Sequence, residues 1–239
     1  MSSLGASLHE LAAAQKASRG VSLYSRFVNR PVGRVLAASA HVLGLTPNQV
    51  TVVSAVATAT GAALLVLVPP SLVNSVMVWF FLALGFCLDS ADGQLARLRG
   101  GGSLAGEWLD HVVDAGKVVG VHLAVLVMLY RFGHVSDTQL LVPLAFALVS
   151  TLIFAGGTLA PLVRRGAEVG AGGATPVRRP SSTIGAIGLL PADYGVLCLV
   201  FLLTWHQSLF FLTYSVLLVV NAVLMCLLLA KWFRELSTT

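Results

Sequence analysis

Long apolar segments separated by short polar ones make up most of this chain. Six of them reach the roughly 20 residues that a helix needs to cross the hydrocarbon core of a bilayer. They cover residues 48–68, 72–98, 104–130, 138–163, 183–204 and 207–230. The pattern predicts an all-α integral membrane protein with six transmembrane helices. The predicted protein consists of an N-terminal segment (1–46), a six-helix transmembrane domain (47–232) and a short tail (233–239).

The N-terminal segment is too polar to span a membrane, but it carries a helical pattern of its own. Between residues 29 and 44, Val32 and Val35 alternate with Arg30 and Arg34. A helix with one apolar and one basic face lies in the membrane interface, with its apolar face among the lipids. We therefore predict an amphipathic interfacial helix before the first span. A disordered basic arm is the alternative.

The distribution of basic residues predicts how the protein is oriented. If six helices span the membrane, thirteen of the fifteen Lys and Arg residues lie on one side. They are Lys16, Arg19, Arg26, Arg30, Arg34, Arg97, Arg99, Arg164, Arg165, Arg178, Arg179, Lys231 and Arg234. Because such an excess marks the cytoplasmic side, we expect both termini to face the cytoplasm, with the protein in the plasma membrane. The same excess explains the net charge of +5, so nucleic-acid binding is not expected.

Half of the ten acidic residues lie within the second and third predicted spans. Residues three, four or seven apart share one face of a helix, so Asp89 lies beside Asp92, and Asp110 beside Asp114. The Gly-rich turn at 100–103 is short, which makes these two helices antiparallel neighbours. Asp89 and Asp110 each lie on the order of 10 Å from the turn end of their helix. The four carboxylates are therefore expected to meet in one pocket that opens to the cytoplasm.

Four carboxylates in a poorly solvated pocket need a compensating charge, so either several are protonated or divalent cations bind. Carboxylate oxygens suit hard ions such as Mg²⁺, Mn²⁺ or Ca²⁺. Gly93, Ala96 and Gly106 lie on the same faces and leave room for a ligand, and Arg97 adds a phosphate-binding group at the mouth. Glu107 lies about 100° from the carboxylate face and is left out of the site. The combination predicts a metal-assisted pyrophosphate site.

These residues also carry a family resemblance. The pattern Asp89-x2-Asp92-Gly93-x2-Ala96-Arg97-x8-Gly106-x3-Asp110-x3-Asp114 resembles the signature of the CDP-alcohol phosphotransferase (CDP-alcohol phosphatidyltransferase) family at all eight fixed positions. The stretch TPNQVT that opens span one, and the preceding NRPVGR, are similar to the inositol-phosphate-using branch. The resemblance covers residues 20–230, and it implies the six-span architecture and a homodimer.

The resemblance implies a reaction and a role for each residue of the pattern. Such enzymes bind the pyrophosphate of a CDP-linked donor against two divalent cations, Mg²⁺ or Mn²⁺. An acceptor hydroxyl then attacks the β-phosphorus and CMP leaves. The metal ligands would be Asp89, Asp92, Asp110 and Asp114, the last also serving as general base. The residues at the CDP would be Asp92, Gly93, Ala96, Arg97 and Gly106.

Two donors and several acceptor ligands stay open. We favour CDP-diacylglycerol, which would give phosphatidyl transfer to inositol phosphate or glycerol phosphate in phospholipid synthesis. The alternative is a soluble CDP-alcohol whose head group goes to a lipid or a second alcohol. An anionic acceptor needs cationic groups beside the active site. The candidates are Arg164, Arg165, Arg178, Arg179 and Lys117.

Four further polar residues have two interpretations each. Asn48 and Thr51 either contact the CDP or cap and join helices. Lys117 is expected as a counter-ion of Asp114 rather than as an acceptor ligand. Asp193 either caps a helix or, if span five begins near 183, lies within the membrane as a site residue.

Two other classes of protein fit the sequence less well. A divalent-cation transporter needs polar groups along its whole path, whereas the outer halves of these spans are almost wholly apolar, with Asp137 only at the far edge. A non-catalytic membrane scaffold gives no reason for buried acids at helical spacing.

Overall fold

The computed structural model describes residues 4–13, 22–170 and 188–237, and all regular structure in these ranges is helical. The α-helices are α1 (Leu4–Ala13), α2 (Arg30–Val42), α3 (Pro47–Leu67), α4 (Leu72–Leu98), α5 (Leu104–Phe132), α6 (Leu141–Gly170), α7 (Tyr194–Val200) and α8 (Gln207–Ser237). A π-helical turn, Ser25–Asn29, leads into α2, and two 3-10 turns, Leu190–Ala192 and Phe201–Leu203, flank α7.

Five of these helices, α3, α4, α5, α6 and α8, are long and apolar enough to cross a membrane. They confirm the long apolar helices predicted for five of the six spans. The fifth predicted span, 183–204, differs. Its first residues lie outside the described part of the chain, and the rest forms an apolar helical segment, Tyr194–Leu203, that is shorter than a full span. Asp193 begins a new helix there and interrupts the apolar run, so the six-span count stays a prediction.

Two helices extend beyond their predicted ends. Helix α6 continues to Gly170 rather than stopping at 163, and α8 continues to Ser237. The predicted tail, 233–239, therefore begins inside the last helix. The reason is that basic and acidic residues follow the apolar part of α8 without a helix breaker, so the helix continues past its apolar stretch.

Capping residues fix where the helices of the carboxylate region begin. Thr46 accepts a hydrogen bond from the Gln49 amide and, in return, the Gln49 side chain accepts one from the Thr46 amide, a capping box at the start of α3. Ser103 caps α5. Before it, Gly100 and Gly101 have positive φ angles of 87° and 128°, which few other residues adopt. The turn thereby returns α5 antiparallel to α4.

Close packing of α3 on α4 sets the depth of the site. The Ser54 hydroxyl donates to the Gly85 carbonyl at 2.7 Å. A Cβ on Gly85 would lie 3.1 Å from the Ser54 carbonyl oxygen and would clash with the Thr58 hydroxyl. Glycine is thus required where the two helices approach each other, and the contact aligns the first turns of α3 with the carboxylates of α4.

Helix α2 forms where the N-terminal pattern predicts it. Its small residues, Ala37 and Ala38, are buried in a cluster with Ala91 of α4. The Gln94 side-chain amide donates to the Arg30 carbonyl at 3.1 Å. Val35 is half exposed on the opposite face. The helix is therefore docked on α4, while its location at a membrane interface stays a prediction.

Asp193 acts as a helix cap. One carboxylate oxygen accepts a hydrogen bond from the Gly195 amide at 2.8 Å, at the start of α7. The other accepts hydrogen bonds from the hydroxyls of Ser25, at 2.6 Å, and Ser22. Asp193 therefore ties the N-terminal segment to α7, and of its two predicted roles the structure supports the cap.

Candidate active site

Three of the predicted carboxylates form a compact cluster. One oxygen each from Asp89 and Asp92 on α4 and from Asp110 on α5 lies within 4.8 Å of the others. Asp92 is buried, and the other two are partly buried. The helical spacing on each helix and the short turn between them account for this convergence.

The cluster fits a divalent cation. The Oδ1 atom of Asp110 is buried and has no hydrogen-bond partner among the described residues. A buried carboxylate oxygen without a partner is costly, and a cation held among the three carboxylates would supply the missing interaction. An all-carboxylate donor set is the type that Mg²⁺ and Mn²⁺ prefer.

Thr51 orients the most buried carboxylate. Its hydroxyl lies 2.7 Å from Oδ2 of Asp92, to which it donates, and 3.2 Å from the Pro47 carbonyl oxygen. Both Thr51 and Asp92 are almost fully buried, at 3% and 4% exposed. Of the two interpretations of Thr51, this contact supports a hydrogen bond between helices, although Thr51 also lines the cavity described below.

Asp114 lies one turn further along α5 and outside the group of three. Its Oδ1 accepts a hydrogen bond from the Lys117 ammonium at 3.0 Å. The same ammonium donates to Asp89 on α4. The Lys117 side chain is 10% exposed. The expected pairing of Lys117 with Asp114 is present, and the second bond, to Asp89, was not predicted.

A cavity of about 560 Å³ lies beside the cluster, between the first turns of α3 and α5 and the last turns of α4. Its volume falls in the usual range of small-molecule sites. All of the residues predicted to contact CDP line it, namely Asn48, Thr51, Asp92, Gly93, Ala96, Arg97 and Gly106. Asp110 lines it as well, so the carboxylate cluster borders the cavity.

The two glycines of the pattern lie in different surroundings. A Cβ on Gly106 would lie 2.9 Å from Oδ1 of Asn48, so glycine allows α3 and α5 to approach. A Cβ on Gly93 would meet only the Arg97 side chain, at an ordinary 3.6 Å. Packing therefore does not require glycine at position 93, and its lack of a side chain leaves space on the cavity wall.

Several cavity residues were not predicted. Glu107 lines the cavity, although its angular offset from Asp110 placed it outside the site. The offset rule fails because the cavity wraps around the first turn of α5 and is not limited to one face. Arg99 and Ser103 also line it. The proximity of the Gly-rich turn to the pattern is the signal that indicates them.

The predicted acceptor arginines are divided. A guanidinium nitrogen of Arg165 lies 3.8 Å from a carboxylate oxygen of Glu107, at the edge of the cavity. A guanidinium nitrogen of Arg164 lies 3.9 Å from a carboxylate oxygen of Glu235 on α8. Both pairs are exposed, and such pairs contribute little to stability. Arg178 and Arg179 lie outside the described residues. Of the two arginines that the structure describes, Arg165 is the one paired with a cavity residue.

Positive charge also accumulates near the cavity, where Arg30 at the start of α2 lies close to Arg97 of α4 and to Arg26 in the preceding turn. Partial burial, together with the nearby guanidinium groups of Arg97 and Arg26, lowers the pKa of Arg30. Arg97 lines the cavity. A region in which guanidinium groups repel one another attracts anions such as phosphate.

Comparison with known proteins gives a consistent picture. The chain is 38% identical over 72 residues to a phosphatidylinositol phosphate synthase of Mycobacterium marinum, covering 30% of this chain and 29% of that protein. It is 37% identical over 83 residues to an archaetidylinositol phosphate synthase of Pyrococcus horikoshii, covering 35% and 39%. The matches thus span well under half the length of these curated relatives.

The chain also matches solved structures of a phosphatidylinositol phosphate synthase from Mycobacterium tuberculosis. The structure with manganese and citrate has a TM-score of 0.47 at 24% identity, covering 81% of this chain and 87% of that one. The structure with CDP-DAG bound has a TM-score of 0.49 at 24% identity, covering 87% and 92%. The family model for CDP-alcohol phosphatidyltransferase matches residues 44–233, most of this chain. The chain therefore belongs to the CDP-alcohol phosphatidyltransferase family.

Proposed function

We propose that this protein transfers a phosphatidyl group from CDP-diacylglycerol to the hydroxyl of a phosphorylated polar alcohol, with inositol phosphate as the preferred acceptor, and releases CMP. The observation that carries the proposal is the carboxylate cluster of Asp89, Asp92 and Asp110 beside a cavity that Gly93, Ala96, Arg97 and Gly106 of the family pattern also line. The names of the two curated relatives, a phosphatidylinositol phosphate synthase and an archaetidylinositol phosphate synthase, support the choice of acceptor.

The described residues suit each part of this reaction. Asp89, Asp92 and Asp110 would hold one divalent cation, Mg²⁺ or Mn²⁺, and Asp114 would contribute to a second. Such cations neutralise charge on the attacking and leaving oxygens. Arg97 at the cavity wall would bind a phosphate oxygen, and the open space at Gly93 would admit the CDP.

The chemical step is one displacement at phosphorus. The acceptor oxygen forms a bond to the β-phosphorus, the bond from that phosphorus to the bridging oxygen breaks, and CMP carries the bridging oxygen away. In this proposal Asp114 accepts the proton of the acceptor hydroxyl. The other residues position the groups and balance charge, which is most of what phosphoryl transfer requires.

The anionic acceptor would bind near Arg165, which is paired with Glu107 at the edge of the cavity. Arg164, Arg178, Arg179 and Lys117 remain the other candidates. We further propose that the site faces the cytoplasm from the plasma membrane, because most Lys and Arg residues are predicted to lie on the same side as the site. We also propose that two copies of the chain form a homodimer.

The test is CMP release by the purified protein. CDP-diacylglycerol and soluble CDP-alcohols are each offered with Mg²⁺ or Mn²⁺ and with inositol phosphate, inositol, glycerol phosphate or serine. We expect CMP with CDP-diacylglycerol and inositol phosphate. If CMP forms only from a soluble CDP-alcohol, that compound is the donor in place of CDP-diacylglycerol. If no pair of donor and acceptor gives CMP, although the protein is folded and binds Mn²⁺, the proposed reaction is refuted.

Two variants test the proposed base. Asp114→Asn keeps the size of the side chain and removes its capacity to take a proton, so we expect CMP release to fall by about 10²–10⁴-fold. Asp137→Asn is the matched control, since Asp137 is exposed and lies beyond the far end of α5. Equal activity of the two variants would exclude Asp114 as the base.

A further inference from the structure

Lys117 is an unusual part of this site. It lies in the middle of the apolar helix α5, with a side chain that is 10% exposed. Its ammonium donates to Asp89 on one helix and Asp114 on the other at the same time. A cation inside a membrane-spanning helix is costly, and the family pattern, which ends at Asp114, gives no reason for it.

The carboxylates that Lys117 holds are those that a second divalent cation would need. A first cation has three donors in Asp89, Asp92 and Asp110. Asp114 is outside that group and is bonded to Lys117. A second cation on the Asp114 side would therefore have to displace the ammonium from Asp114 or share Asp89 with it. Lys117 thus competes for both donors of the second position, Asp89 and Asp114, but for only one of the three donors of the first.

The charge balance leads to the same result. Four ionised carboxylates carry four negative charges, and Lys117 reduces the excess to three. One divalent cation leaves a single negative charge, but a second makes the cluster positive, in surroundings that solvate charge poorly. A pyrophosphate in the cavity brings further negative charge and removes this penalty. Without Lys117, two divalent cations alone would balance the four carboxylates.

We propose, on the basis of the proposed function, that Lys117 couples binding of the second divalent cation to arrival of the donor's pyrophosphate. In the free protein the ammonium takes the place of the second cation between Asp89 and Asp114. When a pyrophosphate enters the cavity, the ammonium yields Asp114 to the second cation. Lys117 is therefore a positioning residue that makes assembly of the complete site depend on the donor.

The test measures Mn²⁺ binding directly, from the electron paramagnetic resonance signal of free Mn²⁺, with and without CDP as a soluble pyrophosphate probe. We expect the wild-type protein to bind one Mn²⁺ without CDP and two with it. CDP should tighten the second site by about 5- to 150-fold, the usual size of coupling between sites. Lys117→Met should bind two Mn²⁺ in both conditions, whereas Lys117→Arg should retain the dependence on CDP.

Lys231→Met is the matched control, because Lys231 is an exposed lysine on α8, and it should behave as wild type. Two Mn²⁺ bound by the wild-type protein without CDP would overturn the inference, as would a CDP dependence that persists in Lys117→Met. The first of these outcomes needs no variant, so it holds even where Lys117→Met fails to fold. Absence of any Mn²⁺ binding, with or without CDP, would overturn the proposed function as well.

Discussion

The hydroxyl of Thr51 can be removed with little change of shape, by Thr51→Val. The change deletes the 2.7 Å hydrogen bond to Asp92 and leaves a buried carboxylate oxygen without that donor. A hydrogen bond to a charged group contributes about 1.5–3 kcal/mol, and about 1.4 kcal/mol corresponds to a tenfold change in affinity. We therefore expect Mn²⁺ to bind about 10- to 100-fold more weakly, as is typical when a partner of a metal ligand is lost.

Thr60→Val provides a close control for this experiment. Thr60 lies on the same helix and donates to the carbonyl four residues earlier, a position that the Thr51 hydroxyl also approaches, but within the described part of the chain it has no hydrogen bond to a carboxylate. Mn²⁺ affinity and the concentration of Mn²⁺ that gives half-maximal CMP release are measured for both variants. If Thr51→Val and Thr60→Val bind Mn²⁺ equally, Thr51 does not orient Asp92. A rise in the KM for the donor with unchanged Mn²⁺ affinity would instead assign Thr51 to CDP binding.

Three further predictions concern packing, capping and metal dependence. Gly85→Ala should lower the free energy of unfolding by about 1–3 kcal/mol through overpacking of α3 against α4. The control is Gly120→Ala, where a Cβ has no neighbour within 4 Å, and it should leave the unfolding temperature in detergent unchanged or slightly higher. Asp193→Ala should lower stability by about 1–2 kcal/mol through loss of the α7 cap, whereas Asp193→Asn should lose less because asparagine also caps helices; equal melting temperatures would argue against the cap. Removal of divalent metal with EDTA should abolish CMP release, and Mg²⁺ or Mn²⁺, but not Na⁺, should restore it.

Much of the site was predictable from local sequence rules. The spacing of Asp89 and Asp92, and the Gly-rich turn before α5, placed their carboxylates opposite Asp110, and the structure brings these three together. Periodicity could do this because both partners lie on regular helices joined by a turn too short to allow another arrangement. Glu107, only three residues before Asp110, escaped such rules: it borders the cavity because the cavity extends around the first turn of α5, which no residue spacing describes.

The sequence by itself determined five apolar helices and the faces on which their acidic residues lie, because helix length and the 3.6-residue period are local properties of the chain. The tertiary structure alone decided which distant groups meet. Ser22 and Asp193, which are 171 residues apart, are joined by a hydrogen bond. Lys117 on α5 is bonded to Asp89 on α4. Such contacts depend on how far each helix is rotated and shifted against its neighbour, and packing between side chains of different helices sets that rotation.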